Sequence, residues 1–382
     1  MEKENEGFRL KEVARLFLKL GIIGFGGPAA HIAMMRQEVV DKRRWMEEQH
    51  FLDLVGATNL IPGPNSTEMT MHIGRERAGW KGLVVAGSCF ILPAVVITAL
   101  FAWLYRQYGQ LPEVQPFIYG IKPAIIAIIL AAVIPLAKRS LKSIELAILG
   151  AATLMLSLAG INEIMVMFGA GFLFLALAAM RNKPTLNSTI HGILPVTLLK
   201  VSGSSIASVS TFGLFLIFLK IGAILYGSGY VLFAFLDTEL VARGLLTRPQ
   251  LIDAIAVGQF TPGPVFSSVT FIGYQISGWT GALVSTIAIF LPSFVFVALL
   301  NPLVKKMRNS RLFSAFLDAV NVASVAIIAA ICFQMGKESI TDWRTALIGI
   351  ISITLVLMFK KVNSALIVIG GALLGYLLTT IF

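Results

Sequence analysis

Long apolar runs, separated by short polar loops, recur along the whole chain. They lie near 12–35, 80–105, 117–137, 143–160 and 163–180 in the first half, and near 208–236, 279–304, 313–335, 344–359 and 364–382 in the second. A helix needs roughly 20 predominantly apolar residues to cross a bilayer, and lipid offers no partner to an unpaired backbone N–H or C=O group. The pattern therefore predicts an all-α, polytopic integral membrane protein.

Two further segments, at 50–73 and 251–274, are too polar and too interrupted to be simple spans. Each has a Pro-Gly-Pro (PGP) triplet at its centre: Pro62, Gly63 and Pro64 in the first, and Pro262, Gly263 and Pro264 in the second. The first proline cannot continue a helix, the glycine permits a turn, and the second proline suits the start of a new helix. We predict broken or re-entrant helical hairpins, a pattern that in transporters indicates the binding site.

The two triplets belong to an internal repeat with an offset of about 200 residues. Further matches pair a lysine, an aspartate and a Gly-Trp dipeptide between the halves: Lys19 with Lys220, Asp53 with Asp253, and Gly79-Trp80 with Gly278-Trp279. Chance similarity between apolar sequences would not place these residues in the same order. We predict a first repeat at 1–180, a linker at 181–207 and a second repeat at 208–382.

Loop charges indicate how the repeats are oriented. Basic residues concentrate in two loops that are not equivalent: Lys138, Arg139 and Lys142 after the third run of the first half, and Lys305, Lys306, Arg308 and Arg311 after the second run of the second half. Because Lys and Arg accumulate in cytoplasmic loops, equivalent loops are expected on opposite sides of the membrane. The charges predict an inverted-topology repeat; two parallel halves with unrelated loop charges are the alternative.

Composition agrees with this class and excludes several others. The chain is 57% hydrophobic and 13% charged, against about 25% charged residues in a typical soluble domain, and its mean hydropathy is +0.83. These values exclude a soluble enzyme, a secreted disulfide scaffold and a disordered chain. We attribute the net charge of +11 to cytoplasmic loops rather than to nucleic-acid binding. Cys89 and Cys332 lie inside apolar runs, which is typical of packing residues.

The residues that begin the helix after each PGP triplet are the strongest candidates for substrate binding. A buried helix N-terminus attracts anions, because it presents free N–H groups and a partial positive charge. Side chains there add further donors: Asn65, Ser66 and Thr67 in the first half, and Ser267 and Ser268 in the second. We predict that the two helix ends meet near the middle of the membrane around an oxyanion. Proline kinks capped by serine and threonine are the alternative.

The matched lysines, Lys19 and Lys220, each lie inside an apolar run and precede a glycine-rich break. A lysine near the bilayer centre costs roughly 2.5–3.5 kcal/mol on insertion scales, so it tends to face a polar cavity. We predict that the pair supplies positive charge for a divalent anion. The alternative is that both side chains extend to the membrane interface.

Glu68 and His72 lie four residues apart just after the first PGP triplet, so they share a helix face. The matching residues of the second half are Ser268 and Ile272. We therefore predict that only the first half carries a titratable pair beside the site, and that this pair couples proton movement to anion movement. An interfacial Glu/His pair near Arg75 is the alternative.

Asp53 and Asp253 open the two interrupted segments. Each is expected either to pair with a basic residue or to cap its helix, and Asp53 joins the candidates for proton coupling. His31, Glu38 and Glu239 are weaker candidates. Because the sequence contains no Ser-His-Asp arrangement, metal-ligand cluster or phosphate-binding loop motif, we expect no enzymatic activity, no metal and no cofactor.

Together these motifs resemble the chromate ion transporter family in its long, two-domain form, over nearly the whole chain. The resemblance is carried by lysines, glycines and prolines: Lys19, Gly26, Gly27, Pro28, Pro62, Gly63, Pro64 and Asn65 in the first half, and Lys220, Gly227, Pro262, Gly263 and Pro264 in the second. The second half departs from the pattern, with Gly229 in the place of Pro28 and Val265-Phe266 in the places of Asn65-Ser66. This departure favours a site dominated by the first half.

The resemblance implies a bacterial or archaeal inner-membrane protein that moves chromate outward, driven by the proton gradient, and confers chromate resistance. Sulfate has the same charge and tetrahedral shape, so it is the implied competitor or alternative substrate. A sulfate importer and a passive anion channel are the rival functions, and a membrane scaffold is a third. The small-residue stretches at 169–171 and 370–371 are expected to pack helices within one chain or between two copies, so a homodimer is also consistent.

Overall fold

The computed structural model describes residues 6–181, 210–227, 229–308, 310–359 and 363–381, and all regular structure within these ranges is helical. The first repeat contains α1 (Glu6–Ile23), α2 (Gly27–Arg36) with a π-helical turn at Gln37–Lys42, α3 (Glu48–Thr58), α4 (Asn65–Tyr108), α5 (Gln115–Ser140), α6 (Ile144–Leu158) and α7 (Glu163–Arg181). Beyond Arg181, the predicted linker at 181–207 lies outside the described residues. The boundaries 1–180 and 208–382 stay predictions.

The second repeat has the same order of elements. It contains α8 (Thr211–Ile224), α9 (Val231–Leu236) with a π-helical turn at Asp237–Val241, α10 (Arg248–Phe260), a 3-10 turn at Val265–Ser267, α11 (Ser268–Arg308), α12 (Arg311–Ser339), α13 (Trp343–Met358) and α14 (Ser364–Ile381). Even the π-helical turn that follows the second helix is repeated. The internal repeat inferred from sequence is therefore visible in the order of the helices.

Six helical stretches among the described residues are long and apolar enough to cross a membrane. They are Asn65–Tyr108, Gln115–Ser140, Glu163–Met180, Val265–Leu299, Leu312–Ser339 and Ser364–Ile381. Three shorter apolar helices, α6, α8 and α13, accompany them. The polytopic, all-α class predicted from the apolar runs is confirmed.

The first apolar run of each half forms two helices rather than the single one that its length allows. In the first half α1 ends at Ile23 and α2 starts at Gly27, and Gly26 between them adopts φ +103°. In the second half α8 ends at Ile224, and Gly227 adopts φ +94°. Glycine takes these positive φ angles at little steric cost, so the glycine-rich breaks end the helices inside apolar sequence.

A second kind of break reverses the chain inside α4. Ala78 and Gly79 leave the helical region, and Gly79 adopts φ +63°. The arms on either side of this turn, 65–77 and 80–108, pack so closely that a methyl group added to Gly74 would overlap the Gly82 carbonyl. Equivalent turns and contacts occur at 277–278 in α11. Each PGP segment is thus followed by a short arm that folds back onto a long one.

The PGP triplet is the tip of a re-entrant hairpin. His50, at the start of α3, has its Nε2 atom 3.7 Å from Oε1 of Glu76, near the end of the short arm of α4. The two halves of the broken segment therefore enter and leave on the same side of the molecule. The predicted re-entrant hairpin is confirmed.

The long arms of α4 and α11 run antiparallel, which establishes that the repeats are inverted. At one end, Nη1 of Arg75 donates to the carbonyl oxygens of Val297 (3.0 Å) and Ala298 (2.9 Å). At the other end, Nε2 of Gln275 donates to the carbonyl oxygen of Ala102 (3.0 Å). Arg75 and Gln275 lie at neighbouring places in their repeats, four residues before Gly79 and three residues before Gly278. Equivalent helices can exchange contacts in this way only if one repeat is turned over relative to the other.

The remaining helices also pack across the repeats: α5 contacts α13 and α14, and α12 contacts α6 and α7. Glycines allow the closest approaches, as where Gly371 meets Gly120 and where Gly171 meets Phe316. These two members of the small-residue stretches therefore pack within one chain. The homodimer stays an untested expectation.

Candidate functional site

Each PGP turn is buried against the end of a helix from the other repeat. The N–H group of Gly63 donates to the carbonyl oxygen of Leu225, just after α8, at 2.8 Å. The N–H group of Gly263 donates to the carbonyl oxygen of Gly24, just after α1, at 2.7 Å. We call these contacts the first and second junctions. Each interrupted hairpin is therefore closed by the opposite repeat, as expected for a site at a repeat interface.

The helices that start at these junctions have no side-chain cap. At the first junction the Pro64 carbonyl accepts hydrogen bonds from the N–H groups of Thr67 (2.8 Å) and Glu68 (3.1 Å). The N–H groups of Asn65 and Ser66 therefore precede the first intrahelical bond and have no acceptor within the helix. At the second junction the Pro264 carbonyl accepts a hydrogen bond from the N–H group of Ser267 at 2.9 Å, so the N–H groups of Val265 and Phe266 likewise precede the first such bond. Both helix starts keep donors of the kind that bind anions.

Glu68 is the charged residue of the first junction. Its side chain is completely buried, and neither carboxyl oxygen has a hydrogen-bond partner among the described residues. The carboxyl points back toward the PGP turn, because a methyl group built on Gly63 would overlap both Oε1 of Glu68 and Oγ of Ser293. The Tyr226 ring, next to the Leu225 carbonyl, also lies within electrostatic range of this carboxyl. Both repeats thus contribute side chains around Glu68.

The second junction has the same backbone hydrogen bond but uncharged side chains. Ser268 replaces Glu68, and its buried hydroxyl has no hydrogen-bond partner in the described part of the chain. Ala94 occupies the place of Ser293, since it is the residue that a methyl group on Gly263 would meet. Ser267 accepts a long hydrogen bond from Thr98, at 3.4 Å. The second junction can therefore offer hydroxyl and N–H donors, and its helix start carries no carboxyl.

The other predicted residues of the first helix start separate into buried and partly exposed ones. Ser66, Thr67 and His72 are buried, and Thr67 Oγ1 and His72 Nε2 have no partner among the described residues. Asn65 is partly exposed, and its side-chain amide donates to Oδ1 of Asn59 at 2.7 Å. Glu68 and His72 do share a helix face beside the junction, as their spacing predicts.

The structure places Lys19 and Lys220 in ion pairs with buried glutamates. Lys19 Nζ lies 3.1 Å from Oε1 of Glu38, and Lys220 Nζ lies 2.6 Å from Oε1 of Glu239. Each glutamate also binds other cations: Lys42 and Arg43 at Glu38, and Arg243 at Glu239. Both clusters therefore carry more positive than negative charge. The signal was present in the repeat, because lysine and glutamate are 19 residues apart in both halves.

Asp53 and Asp253 occupy different environments despite their matched positions. Asp253 is buried, accepts a hydrogen bond from the Tyr105 hydroxyl (2.7 Å) and lies 3.7 Å from Lys122 Nζ. Asp53 is partly exposed on α3, with Nε2 of Gln49 at 3.5 Å. Sequence reasoning did not identify Tyr105 or Ser293, because neither is near its partner in the chain.

The fold and the site define a multi-pass membrane protein of two inverted repeats, with the tips of two re-entrant hairpins buried between them. A family model described as chromate transporter matches residues 11–175 and again residues 212–376. The chain therefore belongs to the chromate transporter family, as its motifs imply.

Individual relatives are similar over nearly their full length. The chain is 31% identical to the chromate transport protein of Cupriavidus metallidurans, covering 96% of this chain and 93% of the relative. It is 30% identical to the probable chromate transport protein of Synechococcus elongatus (96% and 95%) and 26% identical to the chromate transport protein of Pseudomonas aeruginosa (94% and 90%). No solved structure matches the chain.

Proposed function

We propose that this protein is a secondary transporter that moves chromate, a tetrahedral oxyanion dianion, out of a bacterial or archaeal cell across the cytoplasmic membrane. The observation that carries the proposal is the pair of uncapped, buried helix starts at the two junctions. Moving a dianion from water into a low-dielectric interior has a prohibitive free-energy cost unless polar or charged groups stabilise it there. Oriented N–H groups at two helix starts can offset the charge of the dianion without a fully charged cation beside it.

The binding roles follow from this geometry. The N–H groups after Pro64 and Pro264 donate to the oxyanion, and the PGP glycines let the chain turn there. Hydroxyl and amide groups add donors: Asn65, Ser66, Thr67, Ser267 and Ser268. Lys19 and Lys220, with the surplus positive charge of their clusters, attract the anion toward the path between the repeats.

Glu68 and His72 are the proposed proton carriers, and the proton gradient drives the efflux. Their burial beside the first junction supports this role, because a proton moving to a buried carboxyl changes the charge that the anion meets. Asp53 is the weaker candidate, since it is partly exposed on α3.

Flux of labelled chromate into proteoliposomes, with and without an imposed pH gradient, tests the proposal. We expect accumulation that requires the gradient, is reduced by competing sulfate and is lost in Glu68→Gln. The matched control is Glu163→Gln, which changes another buried carboxyl, one that contacts Thr238. Equilibration without a gradient would instead identify a passive channel. Flux of sulfate but not of chromate would overturn the substrate.

A further inference from the structure

The Glu68 carboxyl lies at the start of α4, beside the N–H groups proposed to bind the oxyanion. Side chains on a helix lean toward its N-terminus, and the Glu68 carboxyl reaches back to the PGP turn beside Gly63 and Ser293. It therefore lies at the end of the helix where the N–H groups of Asn65 and Ser66 have no intrahelical acceptor. A carboxylate and an oxyanion are the same kind of ligand for such donors.

Space at the first junction is also limited. Gly63, Ser66 and Glu68 are all buried, and the carboxyl fills the volume that a side chain at Gly63 would take. An oxyanion that approached the N–H groups of α4 would meet the Glu68 carboxyl at close range. If both were ionised, their repulsion in a low-dielectric interior would exclude joint occupancy.

We propose that the Glu68 carboxylate is a tethered anion that alternates with the transported oxyanion at the start of α4. The ionised carboxylate takes the place of the substrate beside Gly63 and Ser293, and the oxyanion occupies it only when Glu68 holds a proton. The Ser293 hydroxyl can donate to the ionised carboxyl and accept from the protonated one, so it serves both states. This mechanism rests on the proposed function, because it concerns the same site.

The mechanism fixes the sign of the coupling at the binding step. For gradient-driven efflux, the proton then reaches Glu68 from the outer side and leaves toward the inner side, opposite to the direction of the anion. Proton binding and oxyanion binding favour each other, and linkage makes the effect reciprocal. Affinity for the oxyanion therefore falls as pH rises, by about tenfold per pH unit where a single proton is coupled. Among the described residues, Tyr226, just after α8, interacts with Glu68, and His72 and Arg75 follow along its own arm. Of these, His72 is the rival source of a pH dependence.

The second junction provides an internal comparison. Its Ser268 and Ala94 give it no carboxyl that could act as a tethered anion. Proton coupling by this route is therefore confined to the first junction.

Equilibrium binding of radiolabelled chromate to the purified full-length protein tests the inference, over the pH range in which chromate stays a dianion. We expect the affinity of the unaltered protein to weaken as pH rises, and Glu68→Gln to bind with an affinity that is nearly independent of pH. Glu163→Gln is expected to keep the pH dependence, and His72→Gln tests the rival carrier. A pH dependence that survives in Glu68→Gln, or disappears in His72→Gln instead, would overturn the inference.

A second measurement needs no variant. When chromate is mixed with the unaltered protein in weakly buffered solution, a pH indicator should report proton uptake of up to about one per bound anion. Proton release, or binding without any proton change, would overturn the inference while leaving the proposed function intact. If neither chromate nor sulfate binds at any pH, the proposed function itself fails.

Discussion

The two junctions share one backbone hydrogen bond and differ in their side-chain chemistry. In both, a PGP glycine donates to the carbonyl at the end of a helix from the other repeat, at 2.8 Å in one case and 2.7 Å in the other. The first junction has Glu68 and Ser293 where the second has Ser268 and Ala94. Both junctions therefore keep a helix start, and only the first has a titratable carboxyl at that start.

The aspartates show the opposite asymmetry. Asp253 of the second hairpin is buried against Tyr105 and near Lys122, both from the first repeat. Asp53 of the first hairpin lies partly exposed on α3. A hydrogen bond and an ion pair of Asp253 thus hold the second hairpin against the first repeat. The first hairpin instead carries the buried Glu68 carboxyl, which has no hydrogen-bond partner among the described residues. We infer that the first hairpin is the one whose surroundings change with protonation.

The largest expected difference between the junctions is in coupled transport. Glu68→Gln should abolish gradient-driven accumulation of chromate in proteoliposomes, because glutamine cannot carry a proton. Ser268→Ala should reduce the initial rate by less than about tenfold, since a neutral hydrogen bond contributes about 0.5–1.5 kcal/mol. Equal losses in both variants would contradict the division of roles between the junctions.

The next difference concerns the PGP glycines. Gly63 (φ +137°) and Gly263 (φ +96°) both adopt angles that strain other residues, at a cost of about 1–3 kcal/mol. Gly63→Ala should destabilise the protein further, by about 1–3 kcal/mol of overpacking, since its methyl group overlaps the Glu68 carboxyl. At Gly263 the added methyl group lies 2.9 Å from Ala94 Cβ.

Thermal unfolding in detergent measures this pair of variants. Gly63→Ala should melt at a lower temperature than Gly263→Ala, and adding Ser293→Ala should recover part of the loss at Gly63. A lower melting temperature for Gly263→Ala would show that the second junction is the more tightly packed one.

A smaller effect is expected at the aspartates. Asp253→Asn should destabilise the protein by about 1–3 kcal/mol, because it leaves Lys122 without its counter-charge, and Asp53→Asn should change stability by about 0.5 kcal/mol or less. Lys122→Met combined with Asp253→Asn should recover part of the loss. The check is thermal unfolding of the unaltered protein, Asp253→Asn, Lys122→Met and the double variant, with Asp53→Asn measured beside them. An additive double variant would show that the two side chains do not interact.

The smallest expected difference is between the effects of replacing Lys19 and Lys220. Lys19→Met leaves Glu38 with Lys42 and Arg43, whereas Lys220→Met leaves Glu239 with Arg243 alone. Partly exposed ion pairs contribute about 0–1 kcal/mol, so both effects on stability should be small and that of Lys220→Met the larger. Chromate uptake at low and high ionic strength then tests whether these lysines attract the anion. Unchanged uptake in both variants at low salt would remove them from the proposed path.

The sequence by itself determined the class of protein, the repeat and its inversion. These features follow from local rules: apolar length sets the spans, proline and glycine end helices at the PGP triplets and at Gly26, and loop charge sets orientation. The shared face of Glu68 and His72 follows from helical periodicity alone. The chromate transporter family was also recognisable, because its motifs are short and contiguous.

Only the tertiary structure decided which groups meet. Gly63 and Leu225 are 162 positions apart, and Glu68 and Ser293 are 225 apart, so no local pattern records their contact. Sequence could state that a lysine inside an apolar run needs a polar neighbour, yet the pairing of Lys19 with Glu38 required the packing of α1 against the segment after α2. The reversal at Gly79, which continues the short arm into a spanning arm, was likewise invisible in hydropathy. Partners brought together by folding are set by the geometry of the whole chain, and that geometry places the Glu68 carboxyl beside Gly63 and Ser293.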